Sequence, residues 1–134
     1  MKALFCMICL IGVIFAQYGD ATLDIILSVY DGDTFRGDIK GYPPIIGRSI
    51  SIRIYGIDAP EIRSKKPSEK LKARAAKKLL TSLLSNRRVT LVDMQRDKYF
   101  RILAKVYADS IDVADSLVRA NLARPYFGGS KISW

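Results

Sequence analysis

The chain has 134 residues and a mass of 15.0 kDa, room for one domain, and 49% of its residues are apolar, enough for a core that needs no metal or disulfide to hold it. Lys and Arg number 22 against 13 Asp and Glu, a formal charge of +9, which in so small a domain points to nucleic acid or an anionic membrane surface as partner. Histidine is absent, which excludes Ser-His and Cys-His catalysis, histidine general bases and His-containing zinc or iron sites. Chemistry must then run on carboxylates, guanidinium groups, amines and phenols, with or without a hard metal ion.

In chain order, the first segment reads as a targeting signal. Lys2 precedes fourteen uncharged residues, Ala3 to Ala16, and polar Gln17-Tyr18-Gly19-Asp20 follows, the layout of a secretory signal peptide. Cleavage fits after Ala16 or after Ala21, so a signal peptide is expected over 1–21 and a folded domain over 22–134. An uncleaved anchor and a buried N-terminal helix are the alternatives, although fourteen residues fall short of the roughly 20 that cross a bilayer. A cleaved segment makes the protein secreted or periplasmic; an uncleaved one anchors it to a membrane. Cys6 and Cys9 both leave with the segment, so the mature chain forms no disulfide. Cutting after Ala16 leaves 21 basic against 13 acidic side chains, and cutting after Ala21 leaves 21 against 12, so the basic surplus belongs to the domain.

Beyond residue 21, Leu23, Ile25, Leu27 and Val29 alternate with polar neighbours, the period of a half-buried strand. Asp31-Gly32-Asp33 signals a turn, Thr34 to Ile39 a returning strand, Gly41-Tyr42-Pro43-Pro44 a loop, and Ile50, Ile52 and Ile54 a third strand ending near Ile57. From Ser68, available as N-cap, to Leu84 the residues Leu71, Ala75, Leu79, Leu80, Leu83 and Leu84 recur at helical spacing. Val89 to Val92 and Arg101 to Tyr107 read as two further strands. A second helix is predicted from Asp112, as cap, to about Asn121, with Val113, Leu117 and Val118 inward. Five strands with a helix after the third and another at the C-terminal end predict an α+β chain folded as a Greek-key OB-type β-barrel.

The densest chemical constellation is Asp31-Gly32-Asp33-Thr34 with Arg53-Ile54-Tyr55-Gly56-Ile57-Asp58-Ala59-Pro60-Glu61. Four carboxylates at strand ends, with no nitrogen or sulfur ligand nearby, suit calcium or magnesium, and the spacing is not that of an EF-hand. Taken singly, each carboxylate could equally shape its turn. Arg53 alternates with the isoleucine row, and beside acidic metal ligands a guanidinium is a bidentate clamp for phosphate. Asp97-Lys98-Tyr99-Phe100-Arg101 offers a second arginine, an amine and a phenol to one phosphate. Lys65 to Lys78 holds seven basic residues against Glu69, a solvated helix face that attracts a phosphate backbone without reading sequence; Lys65 and Lys66, in the loop near Glu61, are its candidate direct contacts.

These motifs resemble the staphylococcal nuclease (thermonuclease) family. The resemblance runs through Val29 to Thr34, Ile52 to Glu61, Asp97 to Ala104 and Ala114 to Arg124 (ADSLVRANLAR), in order, over nearly the whole mature chain. It implies an OB-fold nuclease that uses Ca2+ to hydrolyse DNA and RNA with little sequence preference, favouring single strands and leaving 3′-phosphate ends, as endonuclease and exonuclease and as a monomer without a stable protein partner. It further implies that Asp33, Asp58 and the Ala59 carbonyl ligate calcium, with Asp31 as an outer-sphere acid. Glu61 is implied to orient or deprotonate the attacking water, and Arg53 and Arg101 to hold the scissile phosphate. Lys98 and Tyr99 match contacts to a terminal phosphate, and Tyr126 matches an aromatic that stacks on a base. The family commonly has glycine where Phe100 stands; if phenylalanine displaces Arg101, the expected result is a nucleic-acid-binding module without catalysis, the alternative function.

Overall fold

Alternating, β-branched segments become strands, and the leucine- and alanine-rich stretch becomes the long helix. The computed structural model describes residues 18–134; the predicted signal segment lies outside the described residues through residue 17. In chain order the elements are β1 (Ala21–Val29), β2 (Thr34–Ile39), α1 (Pro44–Gly47), β3 (Ile50–Ile54), β4 (Ile57–Asp58), α2 (Pro67–Leu84), β5 (Val89–Arg96), β6 (Ile102–Ala108), β7 (Ile111–Asp112), α3 (Val113–Arg119) and β8 (Arg124–Pro125). The order β3-β2-β1-β5-β6 is antiparallel throughout, and parallel pairing of Ile52 with Ile102, Arg53 with Leu103 and Ile54 with Ala104 joins its two ends. Closure leaves no free barrel edge. The result is the expected α+β, OB-like five-stranded barrel.

Phe35, Ile52, Ile54, Leu91, Met94 and Val106 are fully buried in its interior, joined by Leu80 of α2 and by Val113 and Leu117 of α3. Each such side chain contributes roughly 1.5 to 3 kcal/mol when removed from water.

The elements differ from the sequence reading in ways that have clear causes. In β1 the inward residues are Leu23, Ile26 and Val29, while Ile25 and Leu27 are exposed. Pairing with β2 slips between Leu23 and Ile25 and again between Ile26 and Ser28, and each bulge turns the following side chain to the other face. The third strand ends at Ile54 because Gly56 takes a left-handed turn (φ +83) that starts β4. Helix α2 starts at Pro67, with Lys66 at the cap position, so Ser68 is not its N-cap. Proline at N1 gives up an N–H that has no helical partner in any case. The buried face of α2 is Ala73, Ala76, Leu80 and Leu84; Leu71 and Ala75 face outward.

At α3 the expectation holds: Asp112 accepts from the Asp115 N–H at 3.1 Å. The helix ends earlier than expected, at Arg119. Asn121 is left-handed (φ 56), and the Asn121 and Leu122 N–H groups return to the Val118 and Leu117 carbonyls at 3.0 Å each, a Schellman stop. That stop directs the chain back across the barrel mouth, where β8 pairs with β4.

Candidate active site

The site begins with a close approach. A Cβ on Gly32 would lie 2.6 Å from the Ala76 Cβ and 2.9 Å from the Ala59 Cβ, so only glycine opposite alanine lets α2 press against the β1–β2 turn. Within that turn the Asp31 Oδ1 accepts from the Asp33 N–H at 3.1 Å, and the Tyr30 N–H donates to the Thr34 carbonyl at 2.9 Å. The Asp33 carboxylate is thereby aimed inward and is buried. Its Oδ1 accepts from the Thr34 hydroxyl (3.0 Å), and its Oδ2 accepts from the Ala59 N–H (2.7 Å) and pairs with Arg53.

Arg53 is the bridge. On β3 it has Ile52 and Ile54 pointing into the barrel, and its own side chain lies buried between two carboxylates. Nη2 donates to the Ile57 carbonyl at 3.1 Å and lies 3.5 Å from Asp58 Oδ1. Nη1 is buried against Asp33 Oδ2, with which it forms an ion pair. Asp58, buried in β4, is fixed by pairing with Arg124 of β8 and also meets the Lys131 ammonium, 2.7 Å from its Oδ1. The Lys131 amine is held above its ordinary range: burial opposes this, but the Asp58 hydrogen bond and charge outweigh it. Asp31 shows the converse. Burial, reinforced by the charge of Asp33, pushes its carboxyl up to about 7.

The opposite wall is the turn joining β5 to β6. Asp97 Oδ1 accepts from the backbone N–H groups of Tyr99 (2.8 Å) and Arg101 (3.0 Å), and Oδ2 accepts from Arg101 Nε at 2.7 Å. Partial burial raises the Asp97 pKa, but these bonds and the guanidinium charge hold it below the ordinary carboxylate range. The Arg101 guanidinium and the Lys98 ammonium lie 5.2 and 5.1 Å from the Tyr99 ring centre. Phe100 takes the left-handed conformation expected of glycine (φ 61), and its side chain is exposed. Arg101, the next residue, lines the cleft.

A cleft of about 990 Å³ joins the two walls. Of the residues singled out from the sequence, Asp31, Asp33, Arg53, Asp58, Ala59, Glu61, Lys98, Tyr99, Arg101 and Tyr126 all line it. Glu61 is exposed at its rim. Lys65 and Lys66 are not among the lining residues: Lys65 is exposed, and the Lys66 ammonium donates to the Ser133 hydroxyl at 2.7 Å. Sequence reasoning missed Lys131, which sits in a Gly-Gly-Ser tail without any spacing signal, and the holding role of Asp97, whose position two and four residues before Tyr99 and Arg101 is the spacing of a side chain capping its own turn.

The donor set suits a hard cation without forming a finished cage. Among the described residues no three His, Cys, Asp or Glu side chains gather as a metal cluster. The oxygen donors on hand are the two buried carboxylates of Asp33 and Asp58, a donor type that calcium or magnesium takes in a shell otherwise filled by water. The amine seated on Asp58 marks the same demand for positive charge.

Fold and cleft together define an OB-like barrel with a cleft lined by carboxylates and arginines, and comparison with known proteins places it. The staphylococcal nuclease homologue profile matches residues 51–132, and the chain belongs to that family. A "probable endonuclease lcl3" of Penicillium rubens is 31% identical over 141 residues, covering 80% of this chain and 48% of the relative. An "uncharacterized endonuclease" of Escherichia coli is 36% identical over 103 residues, covering 75% of this chain and 59% of the relative. The chain thus spans about half the length of these curated relatives.

Proposed function

We propose that the chain is a calcium-dependent nuclease that hydrolyses DNA and RNA with little sequence preference, acts on single-stranded or frayed regions, and leaves 3′-phosphate ends. The observation that carries this reading is the convergence of Arg53, Arg101, Glu61 and the Asp33–Asp58 pair on one cleft. In-line attack on a phosphodiester builds charge on the equatorial oxygens, and two guanidinium groups already in place stabilise it. Glu61, exposed at the rim, orients the attacking water and takes its proton. Asp33, Asp58 and the Ala59 carbonyl would hold calcium, with Asp31 outside them; a cation bound there supplies Lewis-acid stabilisation and a more acidic water. Lys98 and Tyr99 receive a terminal phosphate, and Tyr126 stacks on a base. That Arg101 lines the same cleft as Arg53, next to a left-handed Phe100, favours this reading over a binding module without catalysis.

The N-terminal segment, read as a signal peptide, makes this nuclease a secreted or periplasmic monomer once cleaved, and a membrane-anchored one if it stays. The bonds between the Tyr18 N–H and the Met94 carbonyl (2.8 Å), and between the Met94 N–H and the Gly19 carbonyl (2.9 Å), favour cleavage after Ala16 over Ala21, since the later cut would remove both.

Acid-soluble fragment release from denatured DNA, followed with calcium, with magnesium, and with calcium plus chelator, tests the function. Release with calcium that the chelator abolishes is expected. DNA binding without release under all three conditions identifies a binding module instead.

A further inference from the structure

The segment after β8 crosses the mouth of the acidic pocket and is fastened on its far side. Gly128 (φ 107) and Gly129 (φ 85) turn it, with open space around both, and the Tyr126 hydroxyl donates to the Gly129 carbonyl at 2.9 Å. Arg124 Nη1 donates to the Ser133 carbonyl at 2.9 Å, and the guanidinium lies 3.9 Å from the centre of the Trp134 ring. That ring reaches the outward face of α2, beside Leu71 and Ala75, with the Lys72 ammonium 5.3 Å from its centre. Lys66 ties Ser133 from the other side. Between these anchors the segment delivers the Lys131 ammonium to Asp58 Oδ1, 2.7 Å away.

We propose that Lys131 is a tethered counter-cation of this pocket, occupying the carboxylate edge that a divalent ion would use, so that tail docking and cation binding compete. This rests on the reading of Asp58 as a metal ligand. Calcium at about 2.3 to 2.6 Å from Asp58 Oδ1 would stand beside an ammonium in hydrogen-bond contact with the same oxygen, so the two positive charges repel and compete for it. Asp31, Asp33 and Asp58 face Arg53 from the surrounding elements, and Lys131 adds the second positive charge, which the ion itself supplies once bound. Competition of this kind is reciprocal: a docked tail weakens the ion, and the ion releases the tail.

Trp134 is the only tryptophan in the chain, so its fluorescence reports the tail directly. Calorimetric titration of calcium chloride into the purified protein and into Lys131→Met, with Trp134 emission followed in parallel, tests the proposal. The expected result is roughly tenfold tighter calcium binding by Lys131→Met, together with a red shift of Trp134 emission when calcium binds the unaltered protein. Equal affinities in the two proteins with unmoved Trp134 emission overturn the competition and leave the metal reading standing. No binding heat in either protein overturns the assignment of Asp58 as a ligand, and the competition with it.

Discussion

The two arginines of the cleft are held in opposite ways. Arg53 is buried on a barrel strand, bridging Asp33 and Asp58 and donating to the Ile57 carbonyl, so two strands and a turn all depend on it. Arg101 is partly exposed and held by one residue, Asp97, within a five-residue turn. One guanidinium is part of the fold, and the other is a local hook mounted on it. Damage to the first should therefore cost stability and activity together, and damage to the second should cost activity alone.

Arg53→Met is the most severe break of that contrast. It strands two buried carboxylates, and removing one partner of a buried ion pair costs about 3 to 5 kcal/mol, readable in urea unfolding. Gly32→Ala comes next. The added methyl collides with Ala76 and Ala59, and overpacking of this kind costs about 1 to 3 kcal/mol, with α2 forced away from the turn that aims Asp33; unfolding midpoints and calcium titration would register both effects.

Asp97→Asn should be milder, under about 1 kcal/mol, because the pair it breaks is partly solvated. Its penalty depends on pH in a defined direction. The folded pKa of Asp97 lies below the unfolded 3.8, so its contribution is fully present above about pH 4 and disappears as the pH falls through the folded value. The unfolding curves of the unaltered protein and of Asp97→Asn should therefore differ at neutral pH and converge as the pH falls through the lowered folded value. Phe100→Gly is the smallest change, a gain of about 0.5 to 1 kcal/mol from relief of the left-handed backbone, partly offset by the freer unfolded chain.

The sequence exposed the site more completely than the packing around it. Asp31, Asp33, Asp58 and Glu61 flank short turns, so strand ends and turn residues located them directly. The buried face of α2 escapes a reading by periodicity because Ala73 and Ala76 carry little hydrophobic signal, yet the small size of Ala76 is what admits the Asp31-Gly32-Asp33 turn; Leu71 is more apolar and faces out toward Trp134. The bulges in β1 carry no glycine or proline, so the expected alternation ran through Ile25 and Leu27 unbroken. Lys131 reaches Asp58 across 73 residues, a contact that only the path of the tail creates.

The contrast between the arginines is tested most directly by Arg101→Ala, with calcium-dependent DNA fragment release and urea unfolding measured on the same preparation. Release should fall by about 10²- to 10³-fold, the usual effect of losing one charge-stabilising donor, while the unfolding midpoint stays close to that of the unaltered protein. Undiminished release would remove Arg101 from the phosphate clamp. A loss of stability as large as that of Arg53→Met would show that the Asp97–Arg101 turn is part of the fold after all.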